Sequence, residues 1–328
     1  MSKNLVTFKN AMNSLNNIED LPESCNFIGQ ILWFTISEIT ATREQLKEYL
    51  TRTGLEEKYL PKPISPRDAF RKATSKMEAK KLDLADKKYL NILIREVKVT
   101  DDILVRQMVR EIVDAKNVRL EYTPVANLIL EGEDYRQELL IDSYKLTDLE
   151  ESTLKNSLTD YEKAKEFYNG RNIREIVQNI LSDCSPVALR PSGGVYFSPQ
   201  EYYKKIKSLS TFLKEIALDN LNEKTKLYHI PVIDTEEQRE IVRESLEEQA
   251  KKESMSLIEE MDKIIKSGKP ITGKMVLAYT QKAKDLKALI EEYEDLLETQ
   301  TMFARSAVEM VQKQIQKMIE KLEEDGAA

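Results

Sequence analysis

The stretch YLNILIREVKVTDDILVRQMVREIVDAKNVRLEYTPVANLILE (89–131) decides whether this chain is all-helical or mixed. It divides into short apolar runs, YLNILIREVKV, ILVRQMVREIV, VRLEY and VANLILE, with DAKN and TP as turn signals between the later ones. Strict alternation runs through Val118-Arg119-Leu120-Glu121-Tyr122, which sends successive side chains to opposite faces of a strand. Residues 103–113 also fit a helix, and an antiparallel meander is the preferred reading of the whole.

Upstream, FIGQILWFTISEI (27–39) has the aromatic and β-branched content of a buried strand, with Trp33 and Phe34 anchoring a first core. Thr42 opens a helix with Gln45 as its capping-box partner, and Gly54 is placed to stop it. Three prolines within YLPKPISP (59–66) exclude a helix there. Ser65 then caps, and Pro66 begins, a second helix PRDAFRKATSKMEAKK (66–81). On it Phe70, Ala73 and Met77 share one arc, while Arg67, Arg71 and Lys72 lie within a turn of one another on the other.

Downstream of the meander, helices are expected at about 148–168 and 171–183, with Asn169-Gly170 between them. PVALR (186–190), the turn PSGG, a helix from about 199 to 219 and the strand KLYHIPVID (226–234) complete one α+β domain over 27–234. Residues 1–26 form a polar, Asn-rich lead.

After Asp234 the pattern changes. Residues 235–266 and 273–324 hold no proline, and KSGKPIT between them carries a helix stop. As two continuous helices they would run roughly 48 and 77 Å. Leu286, Ile290, Tyr293 and Leu297 step by four and three, as do Ala304, Val308, Val311, Ile315, Met318 and Leu322, with Thr299-Gln300-Thr301 marking a phase shift. Leu246, Ala250, Leu257, Met261 and Ile264 would line the second arm. A long antiparallel helical hairpin, coiled-coil-like, is therefore expected over 235–328, its longer arm leaving a tip for a partner or a second copy.

Charge is uneven along the chain. The net is -7, yet residues 1–100 hold 17 basic against 13 acidic residues, and 235–328 hold 15 against 21. A nucleic-acid surface would thus lie in the first third, on Arg67, Arg71, Lys72, Lys76, Lys80 and Lys81, whose spacing suits successive phosphates. Cys25 and Cys184 lack metal or redox spacing and His229 is the single histidine, so neither a metal site nor a cofactor is expected. With no secretory signal pattern and no run of about 18 apolar residues, the expectation is a cytoplasmic protein that engages no membrane.

Catalytic motifs fail on inspection. Gly268 to Lys274 satisfies GxxxxGK, but Met275 stands where the magnesium-ligating hydroxyl belongs, and no strand precedes it; a helix-hairpin turn is the better reading. Glu236-Glu237, Glu247-Glu248, Glu259-Glu260 and Glu291-Glu292 read as solvated helix faces. His229, between Tyr228 and Ile230, reads as a satisfied structural imidazole with no GxSxG elbow to serve.

RPSGGVYF (190–197) offers one further candidate. Ser192, Gly193 and Gly194 suit a tight hairpin that packs Val195 and Phe197 inward and brings Arg190 near Tyr196. The sharper alternative is a backbone nest that holds an anion beside Arg190. This stretch, with Trp33-Phe34 and the segment Ser65 to Arg71, resembles a family of uncharacterised phage, plasmid and bacterial proteins that share an RPSGGVYF motif and are classed as a domain of unknown function. The resemblance covers roughly residues 27–320. It implies a mobile-element setting and supplies no established active site. The expected function is a non-enzymatic interaction protein whose helical hairpin binds a partner protein or self-associates; the alternatives are nucleic-acid binding through 66–88 and an enzyme with an anion site at Arg190.

Overall fold

The computed structural model describes residues 26–268 and 270–326, with side chains through 323. The polar lead over 1–26, Asn26 excepted, lies outside the described residues, as does Cys25. In chain order the elements begin β1 (Phe27–Thr35), β2 (Thr40–Thr42), α1 (Arg43–Arg52), α2 (Pro66–Ser75), β3 (Ala79–Leu84), β4 (Lys88–Val99), β5 (Ile103–Asp114), β6 (Arg119–Glu131) and β7 (Asp134–Leu139). They continue α3 (Asp148–Glu166), β8 (Phe167–Asn169), α4 (Gly170–Ser182), β9 (Val187–Ala188), β10 (Tyr196–Pro199), α5 (Tyr203–Asp219), β11 (Lys226–Ile233), α6 (Glu236–Lys266), α7 (Gly273–Leu297) and α8 (Met302–Gly326). The chain is α+β, with antiparallel sheets. By contact the described residues divide into two compact units, one of Thr40–Glu48 and Leu60–Ile173, the other of residues 26–39, 49–59 and those from 174 on, a different division from the one the sequence suggests at residue 234.

In the unit built on 60–173, the meander is the curled five-stranded sheet β3-β4-β5-β6-β7. Residues 103–113 are strand, Val109 lying opposite Leu93 on one side and Pro124 on the other. Helices α2 and α3 cover one face. Ser65 Oγ accepts from the Asp68 N–H at 3.1 Å with Pro66 in the first turn, and Thr147 and Glu150 form a capping box at the start of α3. Phe70 sits at the centre of this core with Tyr135 and Tyr161 edge-on to its ring, at 5.1 and 6.4 Å. The buried Glu150 carboxylate is held by Arg110, with Arg110 Nε donating at 2.8 Å. Burial opposes its ionisation, but the hydrogen bonds from Arg110 and Thr147 together with the Arg110 charge outweigh that, and its carboxyl lies below the ordinary range.

The second helix is shorter than its sequence pattern. It ends at Ser75, and Ala79 to Leu84 pair with β4 as strand β3. Lys80 and Lys81 therefore stand on a strand. Lys81, at φ 58°, sits at a register irregularity, and its N–H donates to Asn91 Oδ1 at 2.8 Å. Sheet pairing has overridden a helix-favouring composition.

In the other unit the sheet runs β11-β1-β10-β9. Leu32 faces His229 and Tyr196, and Ile31 faces Ile230 and Phe197. Gly29 is where Phe197 needs space: a Cβ there would run into the Ser198 carbonyl and the Phe197 ring. On the Phe197 face the sheet shares one core with the C-terminal helices, through Leu246, Ala250, Ile290, Tyr293 and Val308. His229 meets Tyr203 at 6.1 Å. Its Nδ1 is buried without a partner among the described residues, so it is a neutral packed ring and not the satisfied imidazole expected; burial, with Lys207, lowers its pKa.

Three helices stand where a two-helix hairpin was expected. Glu298 adopts φ 53°, closing α7, and the chain reverses through Thr299-Gln300-Thr301 into α8. The seam residues pack both ways: Leu286, Ile290 and Tyr293 with the sheet, and Val311, Ile315 and Met318 with Leu257 and Met261 of α6. Among the described residues no long arm is left over. A buried carboxylate holds the reversal: Glu294 Oε1 accepts from the Thr301 N–H at 2.7 Å and from Thr301 Oγ1 and Arg305 Nε at 2.9 Å. The Arg305 hydrogen bonds hold the Glu294 carboxyl down at about 2. At the other turn, Thr272 caps α7. This is the helix-hairpin turn read from 268–275, of which Lys269 lies outside the described residues.

Candidate functional site

The motif residues Arg190, Ser192, Gly193, Gly194 and Tyr196 do come together on one hairpin. β9 and β10 pair through Val187 with Phe197 and Ala188 with Tyr196. The Gly193 N–H donates to the Arg190 carbonyl at 2.8 Å, and Gly193 and Gly194 stand at φ 75° and 86°, where a side chain is disfavoured. Phe197 is buried, Val195 only in part, and Arg190 and Ser192 are exposed. Tyr196 faces Ala188 across the pair, not Arg190. Since the Gly193 N–H that a nest would offer is taken by the Arg190 carbonyl, the loop is a turn first.

The basic candidates are mostly engaged. Arg67 donates to the carbonyls of Thr100 and Asp101, Arg71 Nε pairs with Glu96 at 3.1 Å, and Lys76 Nζ with Asp160 at 2.8 Å. Lys72 is half-buried, and desolvation, with Lys76, lowers its pKa. Lys80 and Lys81 are exposed, but on β3.

The hairpin leads to a site that the sequence does not reveal. Ala188 N–H donates to Gln249 Oε1 at 2.7 Å and Lys252 Nζ to the Pro191 carbonyl at 2.9 Å, tying the hairpin to α6. Beside this tie a groove of about 780 Å³ opens between α6 and α7, lined also by Ser182, Asp183, Ser185 and Pro186. Its walls carry Asp183, Glu253, Asp285 and Glu292 against a single Lys282, over an apolar floor that includes Pro186, Leu257, Leu286 and Leu289.

Ser185 is its most constrained residue. It holds φ 45° immediately before a proline, outside the region a serine ordinarily adopts there. Glu292 Oε2 accepts from its hydroxyl at 2.6 Å, and its carbonyl accepts from Tyr293 OH, also at 2.6 Å. Two consecutive residues of α7 thus fix one strained residue from both sides. Glu292 Oε1 is buried and lacks a hydrogen-bond donor among the described residues. Burial, reinforced by Glu201, pushes the Glu292 carboxyl up despite the Ser185 hydrogen bond. Burial also pushes the Glu253 carboxyl up, against the hydrogen bond from Gln249. No cation offsets the burial of Glu292 among the described residues, and Glu253 has only the neighbouring Lys252. Next to the groove, the Cys184 thiol is buried and raised to about 12, which makes it a poor nucleophile.

A model for a family of unknown function, DUF6744, matches residues 27–324. The chain belongs to this family. No curated protein and no solved structure matches it. In this DUF6744 chain no helix among the described residues is long and apolar enough to cross a membrane, and no group of three or more His, Cys, Asp or Glu is placed to hold a metal ion.

What sequence reasoning missed in the DUF6744 chain is Ser185, Glu253 and Glu292. The one available signal was Glu292 itself, lodged between the seam residues Ile290 and Tyr293 and yet grouped with the solvated acidic pairs. Nothing in the sequence marks the strain at Ser185, which follows from the tertiary grip of α7.

Proposed function

We propose that this chain is a non-enzymatic, cytoplasmic interaction protein of phage or mobile-element type, whose groove between α6 and α7 takes a basic, amphipathic segment of a partner protein. The observation that carries the reading is the lining of that groove, where Glu253, Asp285 and Glu292 stand with one lysine among apolar residues, the fourth acid, Asp183, being already paired with Lys58. A helix with one apolar face and Lys or Arg at its margins would cover the apolar lining, supply the donor that Glu292 Oε1 lacks and add a positive partner for Glu253. The acidic excess over 235–328 would steer such a partner toward this end of the chain. The mobile-element setting rests on the RPSGGVYF resemblance. Nucleic-acid binding through 66–88 has less support, because Arg67, Arg71 and Lys76 are held in intramolecular contacts. An anion-binding enzyme at Arg190 has the least, since its turn uses the donor an anion would need.

Titration of the full chain with a helical Lys/Leu peptide tests the reading. Saturable binding that is lost in Glu253→Lys with Glu292→Gln, and kept in Glu236→Lys with Glu237→Lys, is the expected result. Equal loss in both pairs would reduce it to unspecific charge attraction, and sedimentation of the free chain separates a partner from a second copy as the occupant.

A further inference from the structure

Helix α5 ends in an unusual way. The Asn222 N–H donates to the Ala217 carbonyl at 2.8 Å and the Leu221 N–H to that of Leu218 at 3.1 Å, the closure of a helix whose next residue turns left-handed. Glycine or asparagine ordinarily takes that position. Here it is Leu221, at φ 50° and 94% exposed. A bulky apolar side chain in this place meets backbone strain and obtains no burial in return.

Leu221 is at the edge of a pocket of about 720 Å³ formed by the last turns of α5, residues 221–225 and the start of β11. Leu218, Leu227 and Tyr228 form its apolar walls with Leu221. Lys214 and Lys226 also line it, and neither side chain has a hydrogen bond or ion pair among the described residues. Glu223 is the one acidic residue there. Tyr228 stacks on Trp33, with ring centroids 5.2 Å apart and 10° between the planes. A concave apolar space with a few unengaged polar groups at its margin is the usual form of a small-ligand site.

We propose that this pocket binds an amphipathic organic anion, an apolar chain or ring system that carries a carboxylate. Its apolar part lies against Leu218, Leu221, Leu227 and Tyr228, and its carboxylate is held by Lys214 and Lys226. Charge complementarity fixes the sign of the ligand, and the walls fix the rest. The pocket shares no lining residue with the groove between α6 and α7, so it is independent of the partner-binding reading.

The test is titration of the full chain with decanoate, followed by calorimetry and by emission of Trp33, the single tryptophan. Decanol and decyltrimethylammonium serve as neutral and cationic counterparts. Decanoate is expected to bind saturably, with both counterparts weaker by about tenfold or more, and Lys214→Glu with Lys226→Glu is expected to weaken decanoate about as much. Leu221→Gly is expected to melt at the same or a higher temperature while binding decanoate roughly fivefold more weakly, because glycine relieves the strain and removes a wall. No saturable binding, equal binding of the three amphiphiles, full affinity in the lysine variant, or full affinity in the glycine variant would each overturn the proposal.

Discussion

Gly29 shows how one residue carries information that its neighbours in sequence conceal. In FIGQILWFT it reads as a weak point in a strand, since glycine contributes no packing and has a high entropy cost on folding. In the structure its missing Cβ is what lets the Phe197 ring and the Ser198 carbonyl approach. Phe197 belongs to the RPSGGVYF stretch, so the two most conspicuous pieces of the unit, the first strand and the glycine hairpin, meet at this contact. Gly29→Ala is expected to lower stability by about 2 kcal/mol or more through overpacking, seen as a fall in the urea midpoint with little change in slope. A shift below about 0.5 kcal/mol would mean that β10 yields easily, and the contact would then not be what fixes the register.

Among the elements, the reversal between α7 and α8 separates what the sequence shows from what it hides. The apolar steps on either side of 299–301 are plain, and so is the change of phase; what the pattern lacks is a direction, because a stutter and a full reversal both place polar residues there. Glu294 decides it by accepting from Thr301 and Arg305, partners 7 and 11 residues ahead that a continuous helix would carry away from it. Similar reasoning applies to 76–84, where composition favours helix and the neighbouring strand β4 prevails. Arg305→Ala is expected to lower the urea midpoint, since it leaves a buried carboxylate short of its donors. The pH dependence follows from the same group. With its pKa depressed to about 2 in the folded chain, Glu294 contributes stability that is present above the ordinary carboxylate range and lost as pH falls toward about 2. Glu294→Gln should therefore flatten the acid limb of a plot of urea midpoint against pH, and an unchanged limb would assign the acid sensitivity to other carboxylates.

For the whole molecule, the fold class, the meander, the glycine hairpin and most caps were legible because they rest on local periodicity and turn chemistry. The groove was not, because its character comes from helices brought together from distant parts of the chain, which places Glu253 near residues 182–186 and leaves Glu292 beneath Ser185. Those two carboxyls give the partner-binding reading a signature opposite to that of Glu294. Both folded pKa values are raised, and for the half-buried Glu292 the stability it contributes is fully present below the ordinary carboxylate range and is lost as pH rises through the raised value. A bound Lys or Arg side chain reverses the preference by favouring the ionised form, so association must release protons. Binding of the helical Lys/Leu peptide is therefore expected to tighten as pH rises from below the ordinary carboxylate range through the raised values, and to weaken with salt. Calorimetry in buffers of different ionisation enthalpy would count the protons released. Glu292→Gln keeps an acceptor for Ser185 but cannot ionise, so it is expected to leave the neutral-pH urea midpoint equal or higher while removing much of the pH dependence of binding. If the peptide binds with the same affinity and the same proton count to this variant, its positive charges do not meet Glu292, and the groove between α6 and α7 is not where a basic partner sits.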